Sequence, residues 1–219
     1  GFSTVKRVAL QKFPVTERAK TASAIMVAQS IDRVRGYNCF TAGLSETMDE
    51  GMSWKLLLDK NNRNPFSGST VESVLPLDNG ELLISCGRGA GENNRRELWV
   101  TENVTSDSER TFTKVMTARV KGVKFTSGWS QYAHKNIILV NEYGPKVPMW
   151  TGFEVLPGDN ARFTYMSLDY GKTWKTVFDL NEYLTVVKGR ESVIHQHLHG
   201  VAWDPYYDRI WVTFGDNTN

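Results

Sequence analysis

The run His195-Gln-His-Leu-His199 is the densest group of chemically able side chains in the chain. On an extended strand its imidazoles share one face with neighbours about 6.7 Å apart, close enough for two to bind one metal ion. The outer pair is ~13 Å apart by the same rise, so a single ion cannot take all three. His195 and His197 would thus serve as metal ligands only with help from elsewhere in the chain. A row of hydrogen-bonded imidazoles along an inner strand is the plainer reading, and no cofactor is expected. Glu142, Glu191, His195 and Asp216 are the acids and bases available for proton transfer, although their spacing forms no paired catalytic motif. Arg88, Arg95, Arg96 and Arg190 have the chemistry to clamp an anionic group, and as loop residues they serve equally as solvated charges or surface ion pairs. Tyr143 and Trp150 could stack on the apolar face of a sugar ring, as could Tyr132, Tyr206 and Tyr207. Trp129 and Trp203 lie on strands expected to pack inside.

A repeat positions these residues. Residues 47–54 read Thr-Met-Asp-Glu-Gly-Met-Ser-Trp and residues 167–174 read Ser-Leu-Asp-Tyr-Gly-Lys-Thr-Trp, both fitting Ser/Thr-x-Asp-x-Gly-x-Ser/Thr-Trp. In such a box Thr47 or Ser167 opens a tight turn and Asp49 or Asp169 accepts from turn amides. Gly51 or Gly171 takes a positive φ, Thr173 closes the second turn, and Trp54 or Trp174 enters the core. Thr101-Glu102-Asn103, a longer turn through Asp107 and then Thr111-Phe112 read as a decayed third copy with Phe in place of Trp. Trp54, Phe112 and Trp174 are 58 and 62 residues apart, a period that accommodates four strands with their loops.

Between the boxes a second element recurs at 73–85, 128–140 and 200–212, each an apolar strand, a polar turn and another apolar strand. Hairpins alternating with boxes give a four-strand A-B-C-D unit, and no segment carries a helical period. On these boxes the chain resembles the Asp-box, or BNR-repeat, propellers of the sialidase-like superfamily. The resemblance implies an all-β fold, a β-propeller of four-stranded antiparallel blades. About three to three and a half blades of it fall in this chain, at about 1–60, 61–118, 119–180 and, for the start of a fourth, 181–219. A closed ring needs roughly 4 to 8 blades, so further ones are expected from a longer chain or another subunit. In this topology the boxes are C–D turns, and the B–C and D–A loops gather at the other end. A ligand site is expected there, from the B–C loops 86–97 and 141–162 and the D–A loops 59–70 and 179–192.

The resemblance carries glycan recognition, on a virion or other extracellular surface, as its first functional implication. A sialidase-like glycoside hydrolase or a lyase is the second, and a structural scaffold the third. Hydrolysis of that type requires an arginine clamp, a Tyr activated by a Glu and an Asp proton donor. The Arg-Ile-Pro motif that brings the first arginine in that family is absent here. The 26 basic and 24 acidic residues are spread evenly, with no basic stripe for nucleic acid, and no apolar run approaches the ~20 residues that span a bilayer. Cys39 and Cys86 read as buried thiols, with one disulfide as the alternative. Asn103-Val104-Thr105 is a sequon for N-glycosylation.

Overall fold

The computed structural model describes residues 25–26, 36–40, 43–49, 52–88, 95–120, 122–125, 130–144, 160–187 and 197–215. It is an all-β chain of antiparallel meanders. The first sheet runs β1 (Ile25–Met26), β2 (Gly36–Phe40), β3 (Gly43–Thr47) and β4 (Lys55–Leu56), each strand beside its neighbour in sequence. The second repeats this order with β5 (Ser69–Pro76), β6 (Leu82–Arg88), β7 (Arg96–Glu102) and β8 (Thr111–Thr117). The third contains β9 (Gln131–His134), β10 (Ile137–Asn141), β11 (Phe163–Ser167) and β12 (Lys175–Asp179). A final hairpin pairs β13 (His197–Asp204) with β14 (Arg209–Gly215). Among the described residues no helix is long and apolar enough to cross a membrane.

Alternation of apolar side chains on both faces of the inner strands forces the sheets together. Tyr37, Leu44 and Leu57 of the first sheet and its following loop bury against Val74, Ile84 and the fully buried Cys86 of the second, with Phe66 between them. Leu83, Leu98 and Val100 from the second sheet meet Ile138 and Val140 of the third, with Phe125 in the same cluster. Leu198 packs with Leu180 and Leu184, against Val212 and Phe214 of the last hairpin. Each such side chain, taken fully out of water, contributes on the order of 2 kcal/mol.

Both boxes fold as turns between the third and fourth strands of their sheets, with one shared bonding pattern. In the first, Asp49 Oδ1 accepts from Thr47 Oγ1 and from the Ser53 amide, both at 2.8 Å, and Oδ2 accepts from Ser53 Oγ at 2.5 Å. In the second, Asp169 Oδ1 accepts from Ser167 Oγ at 2.7 Å and from the Thr173 amide at 2.9 Å, and Oδ2 accepts from Thr173 Oγ1 at 2.6 Å. Gly171 has φ +85°, and a Cβ there would lie 3.1 Å from Val100 Cγ2 of the preceding sheet. The turn thus caps the groove between the second and third sheets, and Trp174 packs on the same core. Gly51 lies outside the described residues, and Trp54 is half-buried.

The turn between β7 and β8, where the sequence suggests a third copy of the box, is built on an arginine. Buried Arg110 donates through Nε and Nη2 to the Val104 carbonyl, through Nη1 to the Leu58 carbonyl at 2.9 Å and through Nη2 to Asp107 at 2.8 Å. Its own carbonyl accepts from the Lys60 amide at 2.8 Å. A donor at the centre therefore replaces an acceptor and ties this turn to the loop after the first sheet. The structure also adds helical geometry where the sequence shows no helical period. Residues α1 (Leu180–Glu182) and a π-helical turn, Tyr183–Val187, follow β12. Asp179 caps them by accepting from the Asn181 amide at 2.9 Å, and Leu180 and Leu184, four apart, bury one face. A stretch of about two turns is too short to register as a sequence period.

Hydrogen bonds from Ser53 lead the effects that lower the Asp49 carboxyl to about 2. Since its folded value lies below the ordinary 3.8, its contribution is complete above about pH 4 and is lost as pH falls through about 2. Carboxyl-resonance NMR should place the Asp49 midpoint near 2, and Asp49→Asn should lower the neutral plateau of the melting-temperature profile and flatten its acid limb, so that the variant and the parent converge as pH falls through about 2. A midpoint at the ordinary carboxylate value would contradict the bonding just described.

Candidate functional site

In an up-and-down meander the second-to-third strand loops and the connections to the next sheet share one end, and the boxes take the other. At the loop end of the third sheet sits the most heavily bonded side chain of the described structure. Glu142, just after β10, is fully buried. Its Oε1 accepts from Arg119 Nε at 3.0 Å and from Tyr165 Oη at 2.8 Å. Its Oε2 accepts from Arg119 Nη2 at 3.0 Å, the Arg162 amide at 2.9 Å and the Phe163 amide at 3.2 Å. Arg119 also reaches the Asn160 carbonyl at 3.1 Å, and Asn160 and Asn181 exchange reciprocal amide hydrogen bonds of 2.9 and 3.0 Å.

The bidentate Arg119 pair satisfies the charge that burial would otherwise make costly. Burial alone would lower the Arg119 pKa, but its hydrogen bonds and attraction to Glu142 outweigh this and raise it. Burial first, and the Glu142 charge second, push the Tyr165 phenol well above its ordinary range, so it stays a protonated donor. The Phe163 ring carries the Arg119 guanidinium 4.7 Å from its centroid and that of Arg162 at 4.6 Å. Arg162 in turn faces Asp179 at 3.5 Å.

This node holds Tyr143, the next residue, at the rim. Tyr143 exchanges backbone hydrogen bonds of 2.6 and 2.8 Å with Lys124, from the connection out of the second sheet. Gly144 follows with φ +155°, where an added Cβ would fall 2.4 Å from the Gly122 carbonyl oxygen, so the close approach of the two segments requires glycine. The Tyr143 ring meets His197 at 5.2 Å and His199 at 5.7 Å, and the two imidazoles are 4.5 Å apart between centroids. They share a face as the strand period requires, and lean closer than backbone spacing alone gives. β13 is held beside them by bonds from Ser130 Oγ to the His199 carbonyl at 2.7 Å, from Asn141 Nδ2 to the Gly200 carbonyl at 2.8 Å and from the Leu198 amide to the Ala161 carbonyl at 3.1 Å. His197 is buried and His199 half-buried.

Among the sequence candidates, the structure brings Glu142, Tyr143 and His197 together at one end of the third sheet. Arg95 is exposed ahead of β7, Arg96 pairs with Glu72 at 2.7 Å, and Arg88 ends β6. Trp150, Arg190, Glu191, His195 and Asp216 lie outside the described residues. Arg119, Tyr165, Phe163 and Asn160 have no motif to mark them, since they converge on Glu142 from two separate segments, the one after β8 and the run into β11. Among the described residues no three His, Cys, Asp or Glu side chains cluster as metal ligands. Chemically, the rim offers two half-buried rings, Tyr143 and His199, backed by buried His197 and set on a neutralised, rigid base.

Removing the Glu142 carboxylate strands Arg119 in a half-buried site and frees two backbone donors. Glu142→Ala should therefore lower unfolding free energy by about 3 kcal/mol in urea denaturation, and Glu142→Gln by a smaller amount. An unchanged midpoint for Glu142→Ala would show that the node carries no stability. The chain matches no protein-family model and no curated protein.

Proposed function

We propose that this chain is a run of Asp-box propeller blades that recognises glycans at its B–C and D–A end without catalysing their hydrolysis. The observation carrying the reading is the ring cluster of Tyr143, His197 and His199, whose centroids lie 4.5 to 5.7 Å apart on a fixed base. Buried His197 backs the cluster, and the half-buried Tyr143 and His199 offer ring surface for the C–H face of a sugar and edge groups for its hydroxyls. Support for the blades comes from three four-stranded meanders and a hairpin stacked in chain order, with box turns at matching positions. Further blades, from a longer chain or another subunit, would complete the ring, and an extracellular or virion surface suits such a protein.

The hydrolase alternative finds its Tyr and Glu side by side in Tyr165 and Glu142, yet their electrostatics oppose it. A nucleophilic phenol needs a lowered pKa and this one is raised; Glu142 has both oxygens filled by donors. A proton-shuttling role for Glu142 would have to break one of those bonds.

Tyr143→Ala and His199→Ala should each weaken glycan binding at least ~10-fold by calorimetry on a panel of sialylated, amino-sugar and uronic-acid glycans. Their melting temperatures should stay within ~3 °C of the parent. Turnover of an aryl glycoside that disappears in Glu142→Gln would instead establish an enzyme, and affinity indifferent to both rim substitutions would remove the site from this end.

A further inference from the structure

The interface between the second and third sheets encloses polar side chains that neither the box turns nor the Glu142 node uses. At their centre is Ser73, fully buried on β5, whose Oγ donates to the Phe125 carbonyl at 3.2 Å. Gln131, the first residue of β9 and only 5% exposed, donates through Nε2 to Ser73 Oγ and to the Phe125 carbonyl, both at 2.9 Å. Because a carbonyl only accepts, the second bond fixes which end of the Gln131 amide is nitrogen. Ser85 of β6 is fully buried and lies directly opposite Ser73 in the register, so its hydroxyl shares that face at a backbone separation of about 5 Å.

A β-bulge adds a carboxylate to this face. The pairing of β5 with β6 shifts register between Val71 and Ser73, and the bulge re-aims the extra residue, Glu72. Its Oε1 accepts from Arg96 Nε at 2.7 Å. Arg96 stands over Gly87, where an added Cβ would fall 2.6 Å from Arg96 Nη1, and Gly87 is two residues from Ser85 and so on the same face of β6. Three buried oxygens of this group have no hydrogen-bond partner among the described residues: Glu72 Oε2, Ser85 Oγ and Gln131 Oε1. Two of them are bare acceptors, and the third is a hydroxyl that can donate or accept.

We propose that Glu72, Ser85 and Gln131 form a buried binding site for one ordered water, which donates to the Glu72 carboxylate and the Gln131 amide oxygen and accepts from the Ser85 hydroxyl. Those bonds match the roughly three that an internal water makes. Charge selects water over a metal cation, since Glu72 is already balanced by Arg96 and a cation would bring an uncompensated charge into the interior. Enclosure excludes anything larger, because Ser73 and Ser85 are fully buried and Gln131 nearly so. The water joins β5 and β6 of the second sheet to β9 of the third, and it holds the Glu72–Arg96 pair where the 86–97 loop enters β7. The site stands whether or not the Tyr143 rim binds glycan.

High-resolution crystallography of the whole chain should show one peak about 2.7–3.2 Å from each of the three oxygens. Ser85→Val puts an alkyl group in the water's place and leaves two acceptors bare, so it should lower the melting temperature by at least ~4 °C, and Ser85→Ala, which keeps room for the water, by less. On a Gln131→Met background, where one of those acceptors is gone, the same Ser85→Val change should lower it by less than in the parent, which crowding alone would not produce. The proposal is overturned if the Ser85 hydroxyl donates directly to Glu72 or Gln131 with no peak between them, or if the two substitutions add. It is overturned equally by a peak at about 2.4 Å from the oxygens together with a melting temperature that rises with sodium or calcium, the signature of a cation.

Discussion

A four-stranded meander with apolar side chains on both faces cannot stand alone in water, and every other feature of this chain follows from that constraint. Each sheet must be covered twice, once by the sheet before it and once by the sheet after. Leu83 and Ile84, adjacent on β6 and both fully buried, state the requirement in two residues: Ile84 belongs to the core shared with the first sheet and Leu83 to the core shared with the third. Hydrogen bonding inside a sheet joins neighbours in sequence, so burial between sheets is what makes the repeats one object.

Stacking leaves polar ends to be satisfied, and the chain does so with different chemistry at the two ends. At the box end a carboxylate gathers donors from its own turn, as at Asp49 and Asp169, or an arginine gathers carbonyls from two sheets, as at Arg110. Ion pairs between Lys55 and Asp107 and between Lys172 and Glu102 cross the grooves between sheets. At the loop end a single buried carboxylate, Glu142, draws together the segment after β8, the entry to β11 and a strand side chain. The first kind of junction is local and repeats with the sheets. The second is long-range and occurs once among the described residues.

That difference explains what the sequence discloses. Box turns are legible because every donor and acceptor lies within seven residues, so the spacing is itself the geometry. The hairpins are legible because alternation of side chains has a period of two. The Arg110 turn is only half legible: spacing and the flanking threonines place it, but nothing local says that its arginine reaches the Leu58 carbonyl. Glu142 is visible as an acid on a loop, while Tyr165 and Arg119 are not visible as its partners, because Tyr165 reaches it only when β10 pairs with β11 and Arg119 only when the segment after β8 folds onto the third sheet.

The unbroken neighbour-to-neighbour strand order has a consequence for the history of each molecule. Contacts within a sheet close loops of a few to about twenty residues, so every meander can form soon after its last strand leaves the ribosome. The nascent chain then waits with one greasy face uncovered until the next meander arrives about sixty residues later. At translation rates of roughly 5 to 20 residues per second that wait is several seconds, ample for a chaperone to engage and long beside the microseconds in which a hairpin forms. Each sheet can thus fold at the pace of synthesis, one after another from the amino-terminal side, with the cover it needs delivered by the next segment of the same chain.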